Sequence, residues 1–361
     1  MHVISSLWEY RSTEHWMIAD SANALLNFLH QKRDSNSPML IMMHDYPDPD
    51  ALASACGLKF LAETAFNIPA KVVFQGVIGR RENRTMVEIL KLPIVKFKPE
   101  DLENNKFIAL VDTQPAFENN SFPKRRKATL VIDQHHSQKE PKAECAIVDT
   151  ECGATSVILA EAINAQGLDL PTNLATALAY GIISDTMNLY RAHRPDIVEI
   201  YLQVIAHSDM KALAQIQNPV RTRRYFATLG KGINNAIARA GLIYAHLGEV
   251  ENPDLVSQIA DFLLTYKTMK RSFCTGRFNG RLHVSLRLEK PTVNAGRVLR
   301  DIFDNPADAG GHGVIAGGSL LIGEDAPPEK WTEAEDRLLN RLLKRFRIKS
   351  TGDPYYPFRQ V

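Results

Sequence analysis

At 361 residues the chain has room for two domains with substantial cores. A net charge of +2 excludes a strongly basic nucleic-acid coat protein and leaves room only for local basic patches. With 45% apolar and 23% charged residues, the composition is that of a soluble globular protein.

The elements follow in chain order. Apolar positions at helical spacing (Trp16, Ala19, Ala22, Leu25, Leu26, Leu29) predict an amphipathic helix over Ser12 to Arg33. The turn residues Asp34 to Pro38 close it. Met39 to Met43 is an apolar strand, and the Pro-containing turn after it carries His44, Asp48 and Asp50. Ala51 to Glu63 reads as a helix. Ala70 to Gln75 is a strand and Glu82 to Leu92 a helix. Phe107 to Val111 is a strand ending in Asp112. Ala128 to Ile132 is another, ending in Asp133-Gln134-His135-His136. Gly153 to Ala165 is a helix. Thr172 to Ser184 is a further helix, whose apolar run from Ala179 ends in Asp185-Thr186. This alternation predicts a doubly wound, mostly parallel α/β sheet over residues 38–195, after an N-terminal helical extension over 1–37.

Residues 196–240 are helical and charged and read as a connector. A second α/β unit is expected over 241–323. Its elements are a strand Gly241 to Leu247, a helix Asp254 to Leu264, and a hairpin of Ser272 to Asn279 with Arg281 to Leu288. A helix Val293 to Phe303, a glycine-rich loop and a strand Ser319 to Ile322 follow. Residues 324–361 form a tail, in which Thr332-Glu333-Ala334-Glu335 reads as a capping box that starts a helix. The leucine stripe of that helix is expected to dock on its own domain or on a sister subunit, as in a homodimer.

His44, Asp48 and Asp50 crowd one strand–helix junction, and three more apolar runs end in Asp112, in the Asp133–His136 segment and in Asp185. In an open α/β sheet, ligands bind outside the carboxyl ends of the strands. Imidazoles and carboxylates without thiols suit hard divalent cations and argue against a structural zinc knot. The set suffices for two metals with a bridging carboxylate and open positions for water and substrate.

The order HxxxDxD, then Asp, then a His-His pair, then Gly-Ile-x-x-Asp-Thr resembles the DHH phosphoesterase superfamily. Downstream, Gly310-Gly311-His312-Gly313 and Ala316-Gly317-Gly318 resemble the GGH signature of the associated DHHA1 domain. Together the motifs span His44 to Gly318. The resemblance implies a two-lobed fold with a cleft between the lobes, and one metal held by His44, Asp48 and Asp112. It implies a second metal held by Asp50, Asp112, His135 and Asp185, with Asp112 bridging. Mn²⁺ is the family expectation, with Mg²⁺, Co²⁺ and Fe²⁺ as alternatives. The resemblance also suggests that His136 faces the phosphate as a proton source. Substrate contacts are expected from Gly310, Gly311 and His312, and from Arg287 on a strand lining the cleft. Ser54, at a helix start, is expected to hydrogen-bond a phosphate. One departure stands out. Aligning the histidines puts Gln134 where the family triplet has Asp, with Asp133 one position early.

The implied activity is hydrolysis of phosphate esters of nucleotides or short oligonucleotides, of the nanoRNase and 3′-phosphoadenosine-5′-phosphate (pAp) phosphatase kind. The alternatives are a cyclic- or linear-dinucleotide phosphodiesterase and a catalytically weak nucleotide sensor. Basic clusters at Arg80–Arg84 and Lys124–Lys127 read as solvated surface. The N-terminus lacks a secretion-signal pattern, and no apolar run approaches the roughly 20 residues that span a bilayer. Cys56, Cys145, Cys152 and Cys274 form no CxxC pair and read as small hydrophobes in a reducing compartment. The expectation is a cytoplasmic protein without a membrane partner.

Overall fold

The computed structural model describes residues 17–33, 37–290, 292–348 and 354–359. The chain divides into two compact units at Pro219/Val220. That boundary falls inside the stretch expected as a connector. Its helices therefore do not form a segment of their own: two belong to the first unit and one to the second.

The first unit is built on α1 (Ile18–Lys32), β1 (Met39–Met43), α2 (Pro49–Phe66), β2 (Ala70–Phe74), α3 (Arg81–Leu90) and β3 (Ile94–Lys96). It continues with α4 (Pro99–Asn104), β4 (Phe107–Val111), β5 (Ala128–Asp133), β6 (Ala143–Val148) and α5 (Thr155–Ala165). The helices α6 (Thr172–Asp185), α7 (Pro195–Ala206) and α8 (Met210–Gln217) complete it. Its six strands are all parallel, in the order β3-β2-β1-β4-β5-β6. Both faces are covered, so the strands are continuous apolar runs rather than alternating ones. Met39, Ile41 and Met43 face a large core shared with α1, α2, α5 and α6. Leu40 and Met42 face a smaller one closed by Phe122, Phe97 and Leu102.

The sequence reading missed β3, α4 and β6. Each is short or departs from a continuous apolar run: β6 carries Glu144 among small residues, and β3 is three residues long. Residues 12–16 of the expected first helix, Trp16 included, lie outside the described residues.

The second unit comprises α9 (Arg223–Asn234), β7 (Ile237–Arg239), β8 (Leu242–Glu249), α10 (Asp254–Leu264), β9 (Arg271–Phe278) and β10 (Arg281–Leu288). These are followed by α11 (Ala295–Ile302), β11 (Ala309–His312), β12 (Ile315–Leu321) and α12 (Pro328–Arg345). Its mixed sheet runs β11-β12-β10-β9-β8-β7, with only β8 and β9 parallel. Helix α10 covers one face, through Leu255, Val256, Ile259 and Leu263. Helices α11 and α12 cover the other, through Val298, Leu299, Trp331, Leu338 and Leu342. The C-terminal leucine stripe thus docks on its own unit.

Two expectations are corrected here. The helix of the tail starts at Pro328, four residues before Thr332, so there is no capping box. Thr332 bonds the Pro328 carbonyl, and Glu335 is buried against Arg277. The glycine-rich segment is also not a loop. It is the β11–β12 hairpin, with Gly310 opposite Gly317 and Gly311 opposite Ala316. A Cβ at Gly296 would stand 2.0 Å from the Gly311 carbonyl oxygen, so the first turn of α11 lies directly on this strand.

Candidate metal centre

In the strand order of the first sheet the chain reverses direction at β1 and β4, the switch point where ligands bind in open α/β sheets. His44 follows β1 and Asp112 follows β4. His44 Nδ1 lies 2.9 Å from the Asp45 carbonyl, a bond that requires the proton on Nδ1 and directs Nε2 inward. Nε2 stands 3.7 Å from Asp48 Oδ1 and 3.6 Å from Asp112 Oδ2. Asp48 is the N-cap of α2 and accepts the Ala51 amide at 3.0 Å, which fixes its carboxylate over the helix start.

Asp112 is 1% exposed and sits at φ +57°, a left-handed backbone that an aspartate adopts only when its surroundings hold it there. Thr155 Oγ1 donates to its Oδ1 at 2.9 Å, while its Oδ2 has no hydrogen-bond partner. A buried carboxylate oxygen left unpaired is costly in a native protein unless something else binds it.

Asp50 is wholly buried at the first turn of α2. It receives the backbone amides of Thr155 at 2.7 Å and Ser156 at 2.8 Å, and the hydroxyls of Ser156 and Ser54. Helix α5 therefore points its N-terminus at this carboxylate. Asp185 is the last residue of α6, so it comes from a helix end rather than a strand end. Three successive residues beyond it, Met187, Asn188 and Leu189, have left-handed φ values of 51°, 55° and 68°. Gly181, one turn before Asp185, lets α6 approach α2 and α5. A Cβ there would lie 2.5 Å from Ser156 Oγ and 3.2 Å from the Pro49 carbonyl.

The triplet segment differs from expectation. Asp133, not Ile132, ends β5 and is wholly buried. Its Oδ1 accepts His135 Nδ1 at 2.8 Å and the Gln134 amide at 2.9 Å, and its Oδ2 accepts the Gln114 amide nitrogen at 2.8 Å. Asp133 is thus the residue that orients a histidine. Gln134 carries its side chain to the other carboxylates, with Nε2 2.6 Å from Asp185 Oδ2 and 3.2 Å from Asp50 Oδ2. Gln134, rather than His135, meets Asp50 and Asp185. His135 Nδ1 lies 3.7 Å from Asp112 Oδ1, and both His135 and His136 are exposed residues.

The charges explain the electrostatics. Burial raises the Asp112 carboxyl well above its ordinary range, and Asp50, Asp48, Asp133 and Asp185 add to it. Burial and Asp48 push Asp50 up to about 6, against the opposing bonds from Ser156 and Thr155. Burial, Asp48 and Asp50 push Asp185 up to about 8. Burial disfavours a charged His44, but the Asp48 bond and charge outweigh it and raise His44 to about 9. Burial likewise opposes charge on Asp48, and the bond and charge of His44 hold it down to about 2. His135 is raised in the same way: burial opposes it and Asp133 prevails. A cluster that retains protons without a cation is one in which a cation would replace them. Among the described residues, two groups have ligand atoms within 4.8 Å of one another: His44, Asp48 and Asp112, and Asp112, Asp133 and His135.

Two expected phosphate contacts lie elsewhere. Ser54 is 0% exposed and bonds Asp50 Oδ1 and Ser156 Oγ, so it supports Asp50 from behind. Arg287 is 5% exposed, with Nε on Asp261 Oδ1 and Nη1 on the Leu286 and Ala316 carbonyls. Its charge is held within the sheet of the second unit. Gly310 and Gly311 are exposed on β11 of that unit. The His312 backbone pairs with Ile315, and its side chain lies outside the described residues. Sequence reading missed Thr155, Ser156, Gln114 and the direct part played by Gln134. A Thr-Ser pair opening a helix was the one available signal for an anion at that helix start.

The description "DHH family, N-terminal domain" matches residues 38–182. The chain carries a DHH-family domain. Its DHH domain contains every centre residue named above except Asp185, three residues beyond the match. An uncharacterized protein of Methanocaldococcus jannaschii, MJ1633, is 30% identical over 293 residues, which is 81% of this chain and 60% of that protein. This chain therefore spans less than two thirds of that relative. The bifunctional oligoribonuclease and PAP phosphatase of Thermus thermophilus is 23% identical, with 88% of this chain and 92% of that protein covered. The crystal structure of an exopolyphosphatase-related protein from Bacteroides fragilis superposes with a TM-score of 0.70 at 15% identity, covering 93% of this chain and 100% of that chain. That likeness shows the fold. Among the described residues no helix is long and apolar enough to cross a membrane.

Proposed function

We propose that the chain is a divalent-metal-dependent phosphoesterase acting on phosphate esters of nucleotides or short oligonucleotides. The observation that carries this reading is the unpaired Oδ2 of Asp112, buried and facing the inward nitrogen of His44. The residues fit a metal: one imidazole nitrogen and several carboxylates converge without a thiol, the donor set of Mn²⁺, Mg²⁺ or Co²⁺. His44, Asp48 and Asp112 would hold one ion, and Asp50, Asp112 and Asp185 face the neighbouring position. Bound there, metal supplies a water of lowered pKa and charge for the phosphoryl oxygens.

The chain's own groups do the rest. Thr155 holds Asp112 through Oδ1 and leaves its Oδ2 free, and Ser156 braces Asp50. Asp133 fixes His135 through Nδ1, which leaves Nε2 at the exposed side to donate a proton to a leaving oxygen. His135 therefore takes the role first expected of His136. The substrate class draws support from the Thermus relative, which aligns over nearly its whole length.

One panel tests the reading: pAp, di- to pentanucleotides, cyclic dinucleotides and pyrophosphate, each with Mn²⁺ and with Mg²⁺. Turnover of pAp or short oligonucleotides that is abolished by chelator is expected. Turnover indifferent to chelator would overturn it.

A further inference from the structure

The Asp50–Asp185 side of the centre differs from the side formed by His44, Asp48 and Asp112. Asp50 accepts five hydrogen bonds on its two oxygens, from Thr155 N, Ser156 N, Ser156 Oγ, Ser54 Oγ and Gln134 Nε2. A carboxylate offers about four lone-pair sites, so Asp50 is saturated by protein donors. The Gln134 amide links it to Asp185, filling the space between the two carboxylates. The neighbouring set of Asp112, Asp133 and His135 is engaged as well. Asp112 Oδ1 takes Thr155, and Asp133 Oδ1 takes His135 and the Gln134 backbone. Among the described residues of the centre, only at His44, Asp48 and Asp112 do an unpaired buried oxygen and an inward nitrogen face each other. A cation entering there meets the unpaired Asp112 Oδ2 and the His44 nitrogen without breaking a hydrogen bond from elsewhere in the chain. One entering between Asp50 and Asp185 must first dislodge Gln134. Once there it meets oxygen donors, whereas the family resemblance places an imidazole at that position.

We propose that the two metal positions are unequal, with one ion held tightly by His44, Asp48 and Asp112 while the Gln134 amide keeps the Asp50–Asp185 position weak. This rests on the metal reading above. Gln134 is then a positioning residue. It cross-links two carboxylates at rest and yields only when a cation, with the phosphate oxygens of a substrate as further ligands, competes for them.

The test is a titration of the chelator-stripped full chain with MnCl₂, followed by calorimetry and by electron paramagnetic resonance. One tight equivalent with the spectrum of an isolated ion is expected, and any second equivalent should bind about 10- to 100-fold more weakly. Gln134→His should bring the second equivalent close to the first in affinity and give a spin-coupled spectrum. His44→Ala should remove the tight class. Two equivalents of equal affinity in the unaltered chain would overturn the proposal and leave the metal reading standing. So would a folded Gln134→His protein that titrates like the unaltered chain. Absence of any Mn²⁺ binding would overturn the proposal together with that reading. The titration of the unaltered chain decides the matter even where a variant does not fold.

Discussion

Thr155 Oγ1 donates to Asp112 Oδ1 at 2.9 Å and leaves Oδ2 of the same buried carboxylate unpaired. Stability and metal affinity therefore oppose each other at one residue. Asp112→Asn removes a carboxyl whose charged form is disfavoured by burial and by the surrounding carboxylates. The metal-free variant should gain about 1–3 kcal/mol, the scale of one buried unsatisfied polar group. For a unit of this size each kcal/mol is about 2–4 °C in Tm. The same variant should lose the Mn²⁺-induced rise in Tm and most of its turnover. Thermal melts with and without Mn²⁺ check both, and a variant that keeps the full Mn²⁺ shift would contradict the assignment of Asp112 as a ligand.

The pH dependence of the metal-free protein follows from the direction of the shifts. Asp50 rises from 3.8 to about 6, Asp185 from 3.8 to about 8 and His44 from 6.5 to about 9. Each binds its proton more tightly folded than unfolded. Their contribution is fully present below the unfolded values and is lost as pH rises through the folded ones. Asp48, lowered to about 2, has the opposite sign and matters only below pH 4. Stability in chelator should fall between about pH 4 and 9. With Mn²⁺ it should rise over the same window, because the ligands must shed protons to bind. Parallel melting curves at pH 5.5, 7 and 9 would show whether the two slopes differ in sign.

Gly181→Ala tests how the helices bring the centre together. A mid-helix Gly→Ala change ordinarily stabilises by about 1 kcal/mol. Here the added methyl meets Ser156 Oγ and the Pro49 carbonyl, so a net loss of about 1–3 kcal/mol is expected. Ser156 would be pushed from Asp50, and metal affinity should fall as well. An increase in Tm would mean that α6 simply shifts outward.

The two histidines of the triplet should behave unequally. Asp133 holds His135, so His135→Ala is expected to lower kcat by about 10²–10⁴ on nucleotide substrates, the usual worth of a general acid. Asp133→Asn should lower it less and shift the pH profile, and His136→Ala should be mild. If His136→Ala proved the more damaging change, the proton would have to come from that ring.

The order of motifs, the continuous apolar strands and the alternation with helices determined the parallel sheet from sequence alone. These are local patterns: a strand buried on both faces must be apolar throughout, and its end must carry whatever polar group the site needs. The same logic marks His44, Asp48, Asp50 and Asp112 in the sequence itself. Only the tertiary structure decided which neighbour each carboxylate meets. Asp50 is saturated by Thr155 and Ser156, 105 and 106 residues away, and Ser54 turns from an expected phosphate contact into its support. Arg287 is drawn to Asp261, and the glycine-rich segment becomes a hairpin because α11 packs against its backbone. The triplet shows the division most clearly. Sequence presented Asp133, Gln134, His135 and His136 in a row but could not say which side chain turns inward. The packing beyond the end of β5 at Asp133 settles it: Gln134 reaches Asp50 and Asp185, while His135 lies exposed with its Nδ1 held by Asp133.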